Sequence, residues 1–190
     1  MRLILASASP RRRDLLARIG VDIAAVDAPE VDETPRRDEL PSDYARRIAT
    51  AKAEAVAPRH ADAVVLAADT VVAAGRRILP KAADAVEVSA CLRLLSGRRH
   101  RVLSAVTVIA SDGVARHRLA TSIVTFGPLS AATIDAYAAC GEGEGKAGGY
   151  AIQGRAEAFV RFLSGSHSGV VGLPLFETRA LLTAAGIALG

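Results

Sequence analysis

The sequence predicts an α/β protein built on a mixed β-sheet flanked by helices, and three observations lead to that prediction. A strand-length apolar run at residues 2–6 leads directly into a helical pattern at 10–19. A continuous apolar run at 63–68 is typical of a strand buried on both faces of a sheet. Residues 100–127 alternate as a long hairpin, which places antiparallel strands in the same sheet.

The elements follow from apolar periodicity and from the residues that begin and end each run. Helices are predicted where apolar residues recur at helical spacing after a cap or a proline, and strands where they alternate between turn residues. In chain order they are a strand at 2–6, a helix at 10–19 that begins with the N-cap Ser9 and Pro10 and ends at Gly20, a strand at 21–26, a helix from the cap Ser42 to 56, a strand at 63–68, an extended segment at 78–82, a helix at 83–95, hairpin strands at 100–110 and 114–127, a helix at 130–139 after Ser130, a strand at 157–163 and a last helix near Pro174. Without an internal repeat or a long linker, residues 1–190 are predicted to form one domain.

The composition limits the classes of ligand. Aromatic residues make up 4% of the chain and tryptophan is absent, which argues against a platform that stacks single-stranded nucleic acid. The net charge of +4 suits an anionic ligand, although a coding bias toward Arg and Ala produces the same excess. Because the arginines occur in clusters, local anion sites are more informative than the total charge.

The two cysteines and the chain start bear on the compartment. Cys91 and Cys140 belong to no CxxC or Cys/His spacing, which is typical of reduced thiols in a cytoplasmic protein. The chain opens on a strand without the basic segment and apolar core of a signal peptide, and its apolar runs are shorter than a membrane span. We therefore expect a cytoplasmic protein without a membrane segment.

The segment between the first strand and the first helix predicts a polyphosphate site. Unpaired N–H groups and the positive dipole end of a helix attract anions. Arg11, Arg12 and Arg13 lie in the first turn of that helix, and their planar guanidinium groups match phosphate oxygens.

Two acidic residues have two interpretations each, and one lysine has a single simple one. Glu33 lies in an acidic loop at 27–35 that is either solvated or holds a divalent metal on phosphates. Asp69 follows the buried strand at 63–68, where open α/β sheets place their chemistry, although an Asp also forms caps and turns. Lys52, on a predicted helix, is by itself most simply an exposed cation.

The segment at 141–150 contains five glycines in nine residues. Such a segment is either a flexible linker or a loop whose backbone approaches a ligand closely. The block that follows it favours a binding loop, in which the Gln153 amide offers a donor and an acceptor to a base edge.

Several motifs are absent from the sequence. It contains no GxxxxGK[ST] or GxGxxG loop, no HExxH pair and no GxSxG elbow, and its four histidines are scattered. By elimination, a hydrolytic site would use a carboxylate base with a hard metal ion.

Four blocks in order resemble those of the Maf family of nucleoside triphosphate pyrophosphatases. They are residues 5–12 (LASASPRR), 68–72 (ADTVV), 145–154 (GKAGGYAIQG) and 170–174 (VVGLP). The resemblance covers residues 3 to about 180 and implies a Maf fold related to inosine triphosphate pyrophosphatases, with two lobes around a central cleft. It also implies cleavage between the α and β phosphates, which releases a nucleoside monophosphate and pyrophosphate with Mg²⁺ or Mn²⁺.

The resemblance also implies roles for individual residues. These are Asp69 as proton acceptor, Lys52 and Lys81 as catalytic-site lysines, Ser7, Arg11, Arg12, Glu33, Thr70 and Gln153 as substrate-binding residues, and Glu33 with Asp69 as metal ligands. Arg11, Thr70 and Gln153 match the subgroup that acts on dTTP and UTP, whereas Arg13 lies outside the matched pair and is expected to be exposed. Two departures are Pro80-Lys81-Ala82 in place of the commoner Gly-Lys-Pro, and Ala151 in place of Gly.

The resemblance therefore implies a metal-dependent pyrophosphatase that acts on dTTP, UTP and modified pyrimidine nucleotides. Its expected partner is this nucleotide substrate, without a stable nucleic-acid partner or a membrane partner. The resemblance further implies a homodimer. The alternative is a non-catalytic nucleotide- or nucleic-acid-binding regulator of septum formation, which the basic charge and the family's link to septum formation suggest.

Overall fold

A seven-stranded mixed sheet organises residues 1–188, the part of the chain that the computed structural model describes. The strands are β1 (Arg2–Leu5), β2 (Ala25–Val26), β3 (Ala63–Ala74), β4 (Arg77–Leu79), β5 (Arg99–Ile109), β6 (Ala115–Phe126) and β7 (Val160–Ser164). The helices are α1 (Pro10–Arg18), α2 (Pro41–Val56), α3 (Ala85–Leu95), α4 (Ala131–Ala139), α5 (His167–Val171) and α6 (Leu175–Ala184).

The sheet confirms the predicted mixture of strand directions. Its order is β2-β1-β3-β5-β6-β7, with β4 paired to the far part of β3. The pairs β1–β2 and β1–β3 are parallel, because α1 and α2 provide the crossovers that parallel neighbours need. The pairs from β3 through β5 and β6 to β7 are antiparallel.

The central strand is longer than the sequence pattern predicts. The prediction ends the strand at 68 and puts Asp69 at its C-terminal end, whereas β3 continues to Ala74 and Asp69 lies inside it. Pairing with β5 maintains the strand, since Asp69 is opposite Ala105. The last parallel pair with β1 is Leu5 with Leu66. Asp69 therefore lies just beyond the end of β1, where β3 no longer pairs with β1.

The two faces of β3 pack against different helices. Leu66 belongs to the same buried cluster as Leu16 of α1, whereas Val65 packs with Ala53 of α2. Because strand side chains alternate between faces, Asp69 shares the α2 face with Val65. This alternation directs the Asp69 carboxylate toward α2.

Some predicted boundaries shift by a few residues. The strand predicted at 21–26 is reduced to β2, and α2 begins at Pro41, so the predicted cap Ser42 lies within its first turn. The strand predicted at 157–163 starts at Val160, after a 3₁₀ turn. Pro10 at the start of α1 and the Ser130 cap of α4, which accepts a hydrogen bond from the Thr133 amide, are confirmed.

Candidate active site

A cavity of about 470 Å³ opens where β1 ends beside β3. Segments that are distant in sequence line it: the loop after β1 with the start of α1, the acidic loop, α2, β3, the glycine-rich loop and the end of α5. It is lined by all nine site candidates from the sequence: Ser7, Arg11, Arg12, Glu33, Lys52, Asp69, Thr70, Lys81 and Gln153.

The first turn of α1 separates its three arginines. Arg12 is buried and donates from Nε to the Gly172 carbonyl at 2.9 Å and from Nη1 to Ser7 Oγ at 2.8 Å. Arg11 is half-buried and donates from Nε to the Val171 carbonyl at 3.2 Å. Burial lowers the pKa of both guanidinium groups. Arg13 is exposed and lies outside the cavity lining.

The α2 face of β3 carries a chain of ion pairs. Lys52 Nζ lies 2.9 Å from Asp69 Oδ1 and 2.6 Å from Glu33 Oε1, and the other Glu33 oxygen accepts from Lys81. The Lys52 side chain is 10% exposed and that of Asp69 is 4% exposed, so Lys52 is a buried bridge between two carboxylates rather than a solvated cation. Burial raises the pKa of Glu33, but the hydrogen bonds from Lys52 and Lys81 outweigh it and lower that pKa below its usual value.

Two residues of α2 that were not among the sequence candidates hold the loop that carries Glu33. The Tyr44 hydroxyl donates to the Glu33 carbonyl at 2.8 Å, and Arg47 Nη2 donates to the Thr34 carbonyl at 3.1 Å. Burial, reinforced by the nearby carboxylates, raises the pKa of Tyr44 to about 12, so the hydroxyl stays a donor. Arg47 also pairs with Glu39 through two hydrogen bonds of 2.6 and 2.7 Å. The available sequence signal was the position of Tyr44 and Arg47 three residues apart on the predicted helix, which places them on neighbouring turns of one side.

The Glu39 pair makes stability depend on pH. The hydrogen bond from Arg47 lowers the pKa of Glu39 to about 2 from a usual value of 4.5. A depressed folded-state pKa stabilises the fold above the unfolded-state pKa, and this stabilisation is lost as the pH falls from about 4.5 toward about 2. We expect the melting temperature of Glu39→Gln to fall less than that of the wild type between pH 7 and pH 3. Differential scanning calorimetry measures these melting temperatures. The control Glu30→Gln, at an exposed loop carboxylate, should show the same pH dependence as the wild type. An equal decrease in melting temperature for Glu39→Gln and the wild type would contradict the prediction.

Backbone hydrogen bonds fix the glycine-rich loop to the segment that carries Lys81. Gly145 N donates to the Ala82 carbonyl at 2.7 Å, Ala82 N to the Lys146 carbonyl at 3.1 Å, and Gly148 N to the Pro80 carbonyl at 3.0 Å. Lys81 and Ala147 form an antiparallel bridge. The loop is therefore an ordered wall of the cavity and not a flexible linker; that it binds a ligand stays a prediction.

Replacing Gly148 tests this close packing. Its φ is +69°, and an added Cβ would lie 2.8 Å from Val72 Cγ1 in the buried part of β3. Gly145 has a similar φ of +67° but open space around its Cβ position. We expect Gly148→Ala to lower the free energy of unfolding by about 1–3 kcal/mol more than Gly145→Ala, because only the first adds overpacking to backbone strain. Urea unfolding of both variants measures the difference. Equal decreases in the free energy of unfolding would mean that the Val72 side chain moves aside without destabilising the fold.

Thr70 and Gln153 line the same cavity but are carried by different segments of the chain. Thr70 Oγ1 lies 3.0 Å from Ser104 Oγ and donates to the Gly172 carbonyl at 3.3 Å, which links β3 to β5 and to the end of α5. Gln153 is exposed at the cavity, three residues after the buried Tyr150. The Tyr150 hydroxyl lies 2.8 Å from His100 Nε2, so β5 supports the segment that carries Gln153.

Comparison with known proteins identifies the family of the chain. The sequence profile described as "Maf-like protein" matches residues 2–185. The chain belongs to the Maf family. It is 67% identical over 188 residues to the dTTP/UTP pyrophosphatase of Sphingopyxis alaskensis, which covers 99% of this chain and 98% of that protein. It is 60% identical over 184 residues to the dTTP/UTP pyrophosphatase of Zymomonas mobilis subsp. mobilis, covering 97% and 91%.

Likeness to solved structures is weaker. A nucleoside-triphosphatase / dITP/XTP pyrophosphatase from Mycobacterium abscessus superposes with a TM-score of 0.47 at 18% identity, over 69% of this chain and 77% of that chain. The assignment to the Maf family rests on the sequence comparisons.

The cavity of this Maf family member holds two carboxylates, the kind of group that binds magnesium in proteins. Residues 1–188 contain no group of three or more His, Cys, Asp or Glu side chains arranged for a metal. Mg²⁺, however, is commonly held by one or two carboxylates together with substrate phosphates and water. Glu33 and Asp69, which share Lys52, supply two such carboxylates at the cavity.

Among the described residues, no helix combines the length and the apolar character that crossing a membrane requires.

Proposed function

We propose that this Maf family member hydrolyses dTTP and UTP to the nucleoside monophosphate and pyrophosphate. The observation that carries the proposal is one cavity in which the ion-paired group Asp69–Lys52–Glu33–Lys81 faces the half-buried to buried cations Arg11 and Arg12. Relatives at 67% and 60% identity that carry the name dTTP/UTP pyrophosphatase support the choice of substrate.

Arg11, Arg12 and Ser7 bind the phosphates in this proposal. Hydrolysis of a triphosphate depends more on positioning and charge neutralisation than on covalent catalysis. Arg12 is held in place by Ser7 and the Gly172 carbonyl, so its charge is preorganised. The N-terminus of α1 adds partial positive charge beside these residues.

Asp69 acts as the proton acceptor. It takes a proton from the water that attacks at the α–β anhydride, and pyrophosphate leaves as the phosphoanhydride bond breaks. Lys52 orients the Asp69 carboxylate, and Lys81 neutralises charge near Glu33. Glu33 and Asp69 would hold Mg²⁺ or Mn²⁺, which when bound supplies positive charge to the phosphates and lowers the pKa of water.

Arg11, Thr70 and Gln153 select the nucleotide in this proposal. All three line the cavity, and an amide such as that of Gln153 pairs with an acceptor and a donor of a pyrimidine edge. We further propose that the protein acts in the cytoplasm as one domain, residues 1–190; the free cysteines Cys91 and Cys140 support a reducing compartment. A homodimer stays a prediction, which light scattering after size-exclusion chromatography would test.

A nucleotide panel with product identification tests the proposed reaction. The protein is incubated with each canonical ribo- and deoxyribonucleoside triphosphate, with Mg²⁺, with Mn²⁺ or with EDTA. We expect dTMP or UMP together with pyrophosphate, a preference for dTTP and UTP, and loss of activity in EDTA. Release of orthophosphate, or equal rates for all nucleotides, would contradict the proposal. Steeply salt-dependent binding of duplex DNA without hydrolysis would favour the regulator instead.

A further inference from the structure

Lys146 is a cavity residue without a role among the site residues above. It lies in the glycine-rich loop, is half-buried, and is one of the residues that line the cavity together with Arg11 and Lys81. The Lys146 carbonyl accepts from Ala82 N, and the preceding Gly145 N donates to the Ala82 carbonyl. These bonds involve only backbone atoms, so they hold the backbone of residue 146 without its ammonium group, which donates separately to the Glu144 carbonyl.

The cations of the cavity fall into two groups. In residues 1–188, the salt bridges of the cavity use Lys52 and Lys81, whose two charges are balanced by Glu33 and Asp69. They leave out Arg11, Arg12 and Lys146, which donate instead to carbonyl or hydroxyl oxygens. Lys146 Nζ donates to the Glu144 carbonyl at 2.9 Å. In residues 1–188 none of these three cations forms a salt bridge with a carboxylate, although the negative charges of Asp69 and Glu33 act on Arg12 from a greater distance.

The surroundings of Lys146 disfavour the charged form of its side chain. Burial lowers the pKa of its ammonium group, and the positive charge of Arg11 lowers it further. Cations placed near one another in a partly buried cavity repel, and a polyanion between them removes the repulsion. A triphosphate carries several negative charges along its length, which matches the three cations.

We propose that Lys146 is a further substrate-binding residue, which contacts the polyphosphate chain of the nucleotide together with Arg11 and Arg12. The inference rests on the proposed function and extends it. It divides the cavity into a charge-balanced part, with Asp69 and Glu33, where the water is activated, and a cationic part that holds the phosphates.

Lys146→Gln tests the inference, because glutamine removes the charge and leaves the backbone bonds of the loop in place. Losing a charge-assisted hydrogen bond to phosphate should raise KM for dTTP about 10–100-fold. Its kcat should stay close to that of the wild type, and the melting temperature should be unchanged. Lys146→Arg should restore most of the affinity, since it keeps the charge. The matched control is Arg13→Gln, which removes an exposed cation outside the cavity lining.

Calorimetric titration with inorganic tripolyphosphate, in the absence of turnover, separates this inference from the proposed function. We expect Lys146→Gln to bind tripolyphosphate more weakly than the wild type by the same factor as the change in KM. Equal KM and equal tripolyphosphate affinity in Lys146→Gln and the wild type would overturn the role of Lys146 and leave the proposed function standing. A lowered kcat and melting temperature without a change in affinity would also overturn it, since that pattern is structural. A wild type that binds tripolyphosphate through Lys146 but does not hydrolyse dTTP or UTP would refute the proposed function alone.

Discussion

Asp69→Asn should lower the turnover of dTTP and UTP by about 10²–10⁴-fold, the contribution usual for a general base. The amide cannot accept the proton of the attacking water. It keeps the shape of the carboxylate and an oxygen that accepts from Lys52, which lies 2.9 Å from Asp69 Oδ1. Nucleotide affinity should therefore change little, since Arg11 and Arg12 are untouched. Initial rates of pyrophosphate release give kcat and KM, and calorimetry with a non-hydrolysable dTTP analogue gives the affinity.

Asp62→Asn provides a matched control for that variant. Asp62 is exposed immediately before β3, so the same chemical change there should leave kcat, KM and the melting temperature at their wild-type values. If Asp69→Asn retained wild-type turnover, Asp69 would lose its role as the proton acceptor.

Lys52→Met should reduce both activity and stability. Methionine fills similar space without the charge, so Asp69 and Glu33 would face each other without the shared ammonium group that now lies 2.9 and 2.6 Å from them. Removing one partner from a buried ion pair typically lowers the free energy of unfolding by about 3–5 kcal/mol, and we expect the lower end because the Glu33 side chain is 33% exposed. Turnover should fall by about 10²-fold or more, because the Asp69 carboxylate loses its orientation.

The pH dependence distinguishes charge from packing in Lys52→Met. Because the Lys52 hydrogen bond lowers the pKa of Glu33, its loss raises that pKa. Protonation then relieves the repulsion between the two carboxylates. The stability difference from the wild type should therefore narrow as the pH falls from 7 to about 4, which urea unfolding at several pH values measures. Arg46→Met, on the exposed face of α2, is the control; a difference that is constant with pH would indicate lost packing alone.

Local signals were sufficient for most of the fold. Pro10 and Ser130 mark helix starts because caps and prolines act within one turn of chain. The hairpin of β5 and β6 was readable because alternation and a turn sequence are also local. The length of β3 could not be predicted from the local sequence. Pairing with β5 extends the strand past the charged Asp69, and this pairing is a contact between distant segments.

The candidate site divides in the same way. Nine residues could be named from sequence blocks, and all nine line one cavity. Tyr44 and Arg47 were not identified from the sequence, and Lys146 had no role assigned to it, because their contacts form only when distant segments fold together. Tyr44 reaches the Glu33 carbonyl across eleven residues, and the Lys146 loop is placed by backbone bonds to Ala82.

The sequence by itself determined the α/β fold with a mixed sheet, the resemblance of four blocks to the Maf family, and the types of side chain at the candidate site. Residue type and spacing encode these features directly. The tertiary structure alone decided that Lys52 is a buried bridge, that Arg12 is buried, and that Asp69 lies within a strand. The physical reason is that the residue type of a charged side chain does not show whether it is exposed to solvent or buried in the core. Its environment depends on which distant carboxylate, carbonyl or strand packs against it.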